Sequence, residues 1–224
     1  MPPTLRLLSS VLLFVVCATF SAAEASSSAR LRDGDLVFQR ESGSDPSALQ
    51  RATASPYTHV GMVLFRGGKP YVFEALETVR YTPLSAWTER GPGLIVKRLR
   101  DADRLLPPAA VRRLRAQAAL LEGRPYDSDF RWSDDRIYCS ELVWKLYDRV
   151  LGVQLGTPKK FREFDLDDPV VAEELRRRYG DAAPLDDLAI SPGQVFASER
   201  LVAVTTRSPG PRPAPGGPDA ETPR

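Results

Sequence analysis

The chain has 224 residues, with 31 Lys+Arg against 29 Asp+Glu and a formal net charge of +2, so it advertises no strongly basic face for nucleic acid. It contains one histidine and two cysteines, which excludes zinc sites built on several imidazoles and any two-histidine mechanism. The length suits a single domain with a real hydrophobic core, while 20 prolines and 15 glycines require part of the chain to be irregular.

The first element is an apolar run from Leu7 to Phe20, preceded by Arg6 and followed by the small residues Ser21, Ala22 and Ala23. About fourteen apolar residues are too few to span a bilayer comfortably but match the core of a secretory signal. Ser21 and Ala23 fit the two small positions before a cleavage site, with Ala23 and Ala25 as a second option, so residues 1–23 are read as a signal peptide. The expectation is a bacterial protein exported to the periplasm or beyond, with no integral membrane span after cleavage. Bulky Val16 before Cys17 argues against lipid attachment there. Cleavage leaves Cys139 alone, so no internal disulfide can form, and this thiol is free, paired between chains, or reactive.

Leu36-Val37-Phe38 follows the turn-like Asp33-Gly34-Asp35 and reads as a short strand, with a short helix expected over Pro46 to Ala52. Two β-rich runs, His59 to Phe65 and Pro70 to Ala75, flank Gly67-Gly68 and predict a hairpin. Further strands are expected near Thr78 to Thr82 and Leu94 to Leu99. Pro107-Pro108 opens a helix to about Glu122, with Val111, Leu114, Ala118 and Leu121 at helical spacing. A second helix runs from Tyr138 to about Leu151, ended by Gly152, with Leu142, Val143, Leu146, Val150 and Leu151 on one face. A third helix spans Pro169 to Tyr179, and Arg200 to Thr205 closes as a strand. Helices and a mostly antiparallel sheet segregate along the chain, which indicates an α+β domain over residues 30–207. Residues 208–224 hold Pro, Gly, Ala and charge with no large apolar side chain, and read as a disordered tail.

The hairpin carries a geometric consequence. A two-residue turn at Gly67-Gly68 pairs Arg66 with Lys69 and, continuing outward, Gly61 with Glu74; a four-residue loop keeps that register, and a three-residue loop flips it. His59, Gly61, Val72 and Glu74 then share one face. Glu74 sits one diagonal step from His59, about 7–8 Å between backbones. Gly61 leaves the intervening space empty, so the carboxylate can reach the imidazole and fix its tautomer.

Cys139 lies at the start of the second helix, where unpaired amides and the positive helix end favour a thiolate. The same amides, that of Cys139 first, can hold an oxyanion. Glu141 suits the helix N-terminus and sits four residues before Lys145. Ser140 reads as a helix-start residue, and no Gly-x-Ser-x-Gly elbow occurs anywhere in the chain. Trp87, Phe130 and Trp132 are candidates for a pocket wall or for core packing.

These motifs carry a resemblance. Gly123-Arg-Pro-Tyr-Asp127 followed by Tyr138-Cys-Ser-Glu-Leu-Val143 resembles the nucleophile segment of NlpC-type cell-wall cysteine peptidases, and Thr58-His-Val-Gly-Met62 resembles their histidine strand. The histidine strand precedes the cysteine helix here, which resembles the circularly permuted papain-like hydrolases of the YiiX/YebB-like family. Their opening strand also matches Gly34-Asp35-Leu36-Val37-Phe38. The likeness covers roughly Asp33 to Leu151 and continues more weakly to Thr205. It implies a permuted papain-like fold with an antiparallel sheet packed on the cysteine helix. It also implies Cys139 as nucleophile, His59 as general base and acid, and Glu74 as the group that orients His59. Tyr126 matches a tyrosine that assists near the nucleophile, although Asp127 replaces the usual Gly-Gly pair, and core packing is an equal reading for it. The implied chemistry is cofactor-free hydrolysis of an amide in a peptide, a peptidoglycan fragment or an acyl amide. A lipid-directed acyltransferase or thioesterase and an inactive binding module are the rivals. An elongated apolar pocket favours lipid, and a polar groove favours peptide.

Overall fold

The structure, a computed structural model, describes residues 30–205 except 42, 44, 92 and 93. The predicted signal segment, with Cys17, and the predicted tail lie outside the described residues.

Alternation of side chains builds the sheet. Strands β1 (Leu36–Arg40), β2 (Tyr57–Arg66), β3 (Lys69–Ala75), β4 (Val79–Pro83), β5 (Ile95–Leu99) and a closing Leu201–Val204 strand form a six-stranded antiparallel sheet. Numbered in chain order the closing strand is β8, because β6 (Lys159–Lys160) and β7 (Leu188–Ala189) pair separately as a two-stranded ribbon. The spatial order is β4-β3-β2-β1-β5-β8. Leu36, Phe38, Val60, Met62, Leu64 and Phe73 point to one face and join the main core. Val37, Val63, Val72 and Val96 point to the other and pack on Trp87. Both faces are apolar at successive residues, as a sheet covered on both sides requires.

The main face is covered by helices α4 (Pro108–Leu121), α5 (Cys139–Leu151) and α7 (Pro192–Ala197). In α5 the residues from Cys139 to Tyr147 are all buried, so Leu142, Val143 and Leu146 each contribute roughly 1.5–3 kcal/mol of apolar burial. Gly152 adopts φ 64° and ends α5, its amide bonding back to Asp148, the left-handed stop that glycine permits without strain. Helix α6 (Pro169–Tyr179) starts at Asp168, whose side chain accepts from the amides of Val170 and Val171. It packs against the short α1 (Ala48–Thr53).

The hairpin register is as expected. Gly67 and Gly68 have φ of 56° and 76°, the turn geometry that favours glycine, and Arg66 pairs with Lys69 and Met62 with Phe73. One step further outward sets Gly61 opposite Glu74. Three short helices have no counterpart in the sequence reading: α2 (Leu84–Glu89), α3 (Ala102–Leu105) and α7. Each is under two turns long, too short for a periodic apolar pattern to show. The chain is an α+β domain, and among its described residues no helix is long and apolar enough to cross a membrane.

Candidate active site

Strand β2 brings His59 beside β3 and Glu74, and α5 delivers Cys139 to the same place. His59 Nε2 lies 2.7 Å from Glu74 Oε2, across the space that Gly61 leaves open. A Cβ at Gly61 would fall 2.4 Å from Val72 Cγ1 and 3.3 Å from Glu74 Cβ, so glycine is what allows the carboxylate to lean over. With Nε2 committed to Glu74, Nδ1 is the nitrogen left to face the Cys139 sulfur, which lies near enough to act on the imidazole charge. The imidazole stacks on Trp87, ring centroids 5.2 Å apart at 26°. Gln39 donates to the Trp87 carbonyl from the neighbouring strand at 2.9 Å and holds that ring in place.

The first turn of α5 is clamped on both sides of Cys139. Ser140 Oγ donates to the Ile190 carbonyl at 2.8 Å, and the Ile190 amide donates to Tyr138 Oη at 3.1 Å. Ser140 is therefore a buried structural hydroxyl. Glu141 accepts from the Tyr138 amide at 3.3 Å and meets Lys145 Nζ at 2.7 Å, the pair four residues apart that the sequence suggests. Lys145 also reaches Asp134 at 2.8 Å, which ties the preceding loop to the helix start.

The electrostatics follow from this packing. Burial pulls His59 down, but the negative Cys139 sulfur and its hydrogen bond, reinforced by Glu74, prevail and raise the imidazole from 6.5 to about 9. Burial pushes the Cys139 thiol up, yet the charge and hydrogen bond of His59, with the amides of Val60 and Ser140, hold it below its ordinary value. Burial likewise pushes Glu74 up, and hydrogen bonds from His59 and Arg90 bring it down. These influences together favour a thiolate–imidazolium pair beside an ionised carboxylate.

Cys139 opens onto a cavity of about 780 Å³. Leu49, Phe161, Phe164, Leu166, Val171 and Leu175, from α1, α6 and the segment between β6 and α6, are apolar residues of its lining. The charged residues Arg40, Glu41, Arg90, Glu174 and Arg178 also line it, along with neutral polar residues such as Gln39, Thr58 and Ser128. Tyr126 lines the same cavity, placed by its amide bonding to the Glu77 carbonyl at 2.9 Å. It also packs on the main core, so it fits both readings given to it from sequence. Burial and the neighbouring Cys139 sulfur raise its phenol, which stays protonated and able to donate.

The three residues singled out in the sequence thus meet in one place. Of the aromatic candidates, Phe130 lines the cavity and Trp87 supports His59, whereas Trp132 packs edge-on against Trp144 at 5.3 Å. Sequence reasoning missed Arg90, whose Nη2 lies 2.7 and 2.8 Å from the two Glu74 oxygens, and Ile190. Neither sits in a motif: Arg90 follows an unforeseen helix, and Ile190 acts through backbone groups, which no side-chain pattern announces.

A family model described as "Permuted papain-like amidase enzyme, YaeF/YiiX, C92 family" matches residues 30–205. The chain belongs to this permuted papain-like family. It is 42% identical over 178 residues to the uncharacterized protein YiiX of Escherichia coli K12, covering 79% of this chain and 87% of that one. The crystal structure of metalloprotein YiiX from Escherichia coli O157:H7 superposes with a TM-score of 0.73 at 42% identity, covering 80% of this chain and 98% of the other. The family is one of papain-like amidases, and its permuted order accounts for a histidine strand that precedes the cysteine helix.

Proposed function

We propose that the chain is an exported cysteine amidase that cleaves acyl amides through a thioester on Cys139. The observation that carries this reading is the unbroken line Cys139–His59–Glu74 at the start of a buried helix. The Cys139 thiolate attacks the amide carbonyl, and the charge moves to the carbonyl oxygen. The Cys139 amide and the positive end of α5 stabilise that oxyanion, with the Tyr126 hydroxyl as second donor. The imidazolium of His59 protonates the departing amine as the C–N bond breaks, leaving acyl-Cys139. Neutral His59 then takes a proton from water, hydroxide attack breaks the C–S bond, and the acid leaves with the thiolate–imidazolium pair restored.

The apolar wall of the cavity supports an acyl group with an extended apolar portion over a short peptide stem, and it equally supports the second reading, acyl transfer from a lipid ester. Signal residues 1–23 support action in the periplasm or outside the cell.

The YiiX crystal structure is described as that of a metalloprotein. The residues here do not fit a resident metal ion. One His59 nitrogen is spent on Glu74, and the Glu74 oxygens already face the Arg90 guanidinium. Among the described residues no three His, Cys, Asp or Glu side chains converge as a ligand set. No step is therefore routed through a metal.

The test incubates the purified protein and its Cys139→Ala form with long-chain N-acyl amides, peptidoglycan fragments and phospholipids. The expected result is turnover of the acyl amides and an acyl adduct on the Cys139 peptide by mass spectrometry. Cys139→Ala and His59→Ala should abolish turnover, and Glu74→Ala should leave an enzyme weakened roughly 10²-fold or more. Full activity in the Cys139 variant overturns the assignment, and preferential cleavage of phospholipid selects the second reading.

A further inference from the structure

Buried charges must be matched, and the Cys139–His59–Glu74 line does not balance by itself. The thiolate and the Glu74 carboxylate are two anions, Glu74 is 0% exposed, and His59 supplies one cation between them. The missing positive charge comes from Arg90, the residue that ends α2. Its amide bonds to the Trp87 carbonyl at 3.2 Å, its guanidinium lies 4.9 Å from the Trp87 ring, and its Nη2 reaches both Glu74 oxygens at 2.7 and 2.8 Å. The signs then alternate: Arg90 positive, Glu74 negative, His59 positive, Cys139 negative. Trp87 carries both cations, since it stacks on His59 and also lies against Arg90.

We propose that Arg90 is a positioning residue of this site, which neutralises Glu74 and aims its Oε2 at His59 so that one imidazolium suffices to hold the Cys139 thiolate. The proposal rests on Cys139 being the nucleophile. Among the described residues His59 and Arg90 are the cations that pair with Glu74. Arg80 lies opposite it on β4, but its guanidinium turns to Glu77 at 3.5 Å. Among the described residues the phenols of Tyr126 and Tyr138 also lie near Cys139, and Thr82 of β4, which carries no charge, lies near Glu74.

Removing a cation raises the pKa of every neighbouring group, so loss of Arg90 moves Glu74, His59 and Cys139 in one direction. The test reads Cys139 alkylation by iodoacetamide as a function of pH, on the full chain, followed on the Cys139 peptide by mass spectrometry so that Cys17 does not interfere. In Arg90→Gln the acid limb of the rate profile should move up by about one pH unit, a roughly tenfold slower reaction on that limb. Arg90→Lys, which keeps the charge, should recover most of the shift. A purely structural role would lower the rate without moving the limb. Arg90→Met carries the same expectation and replaces the Gln variant if that one does not fold. An Arg90→Gln profile that superimposes on a fast wild-type profile overturns the role of Arg90 alone, as does a Lys variant displaced as far as the Gln variant. A wild-type Cys139 that labels like an ordinary thiol overturns the nucleophile reading with it.

Discussion

His59 is the sole histidine of the chain, so its imidazole can be titrated without assignment. Raising it from 6.5 to about 9 corresponds to roughly 3 kcal/mol of preference for the charged form. After burial, which works the other way, the charge and hydrogen bond of Cys139 are the largest influences, ahead of Glu74. Replacing the sulfur by a neutral hydroxyl in Cys139→Ser removes the negative charge, leaves at most a neutral hydrogen bond, and makes Glu74 the one anion acting against burial. The midpoint should then fall by at least about one pH unit, to roughly 8 or below, a tenfold or greater loss of proton affinity. Proton NMR of the imidazole Cε1–H between pH 5 and 10.5 reads the midpoint directly. A wild-type midpoint near 6.5, or one that stays at about 9 in Cys139→Ser, refutes the reasoning.

The consequence for stability has a definite sign. A raised histidine contributes stability that is complete below pH 6.5 and lost as pH rises through about 9, while the depressed thiol contributes in the opposite sense. The two slopes therefore oppose each other wherever both groups titrate.

Two further outcomes follow from the packing. Gly61→Ala puts a Cβ 2.4 Å from the stiff Val72 side chain and 3.3 Å from Glu74 Cβ, in a ladder that cannot open locally. It should cost about 1–3 kcal/mol in urea denaturation and slow Cys139 alkylation, and a variant of wild-type stability and reactivity would show that the space beside Glu74 is not limiting. Burial raises Glu141 to about 7 against the pull of Lys145, so it stabilises the fold fully below about pH 4.5, and that contribution is lost as pH rises through 7. Comparison of Glu141→Gln with wild type at pH 5 and 7.5 should therefore show the stability difference moving toward the variant by about 1–3 kcal/mol, and an unchanged difference would place no titrating group there.

The sequence by itself determined the six strands of the main sheet, the three long helices and the meeting of His59 with Glu74, but not the β6–β7 ribbon. Each of these depends on short-range physics. Side chains alternate along a strand, two glycines set a hairpin register, and apolar residues repeat at helical spacing in α4 and α5. Scarcity did the rest, because one histidine and one cysteine beyond the apolar N-terminal run left a single pair to choose. Tertiary structure alone decided what surrounds that pair. Arg90 reaches Glu74 from the end of a six-residue helix too short to leave a pattern, and Ile190 reaches across 50 residues to Ser140 through its backbone carbonyl. The apolar wall of the cavity joins α1 to α6 and the segment before α6, about a hundred residues away in sequence and adjacent only once packed. A local pattern records which face a side chain takes. Which distant charge or wall it meets depends on how the elements dock, and that is why the Cys139–His59 pair was legible and the groups that balance and enclose it were not.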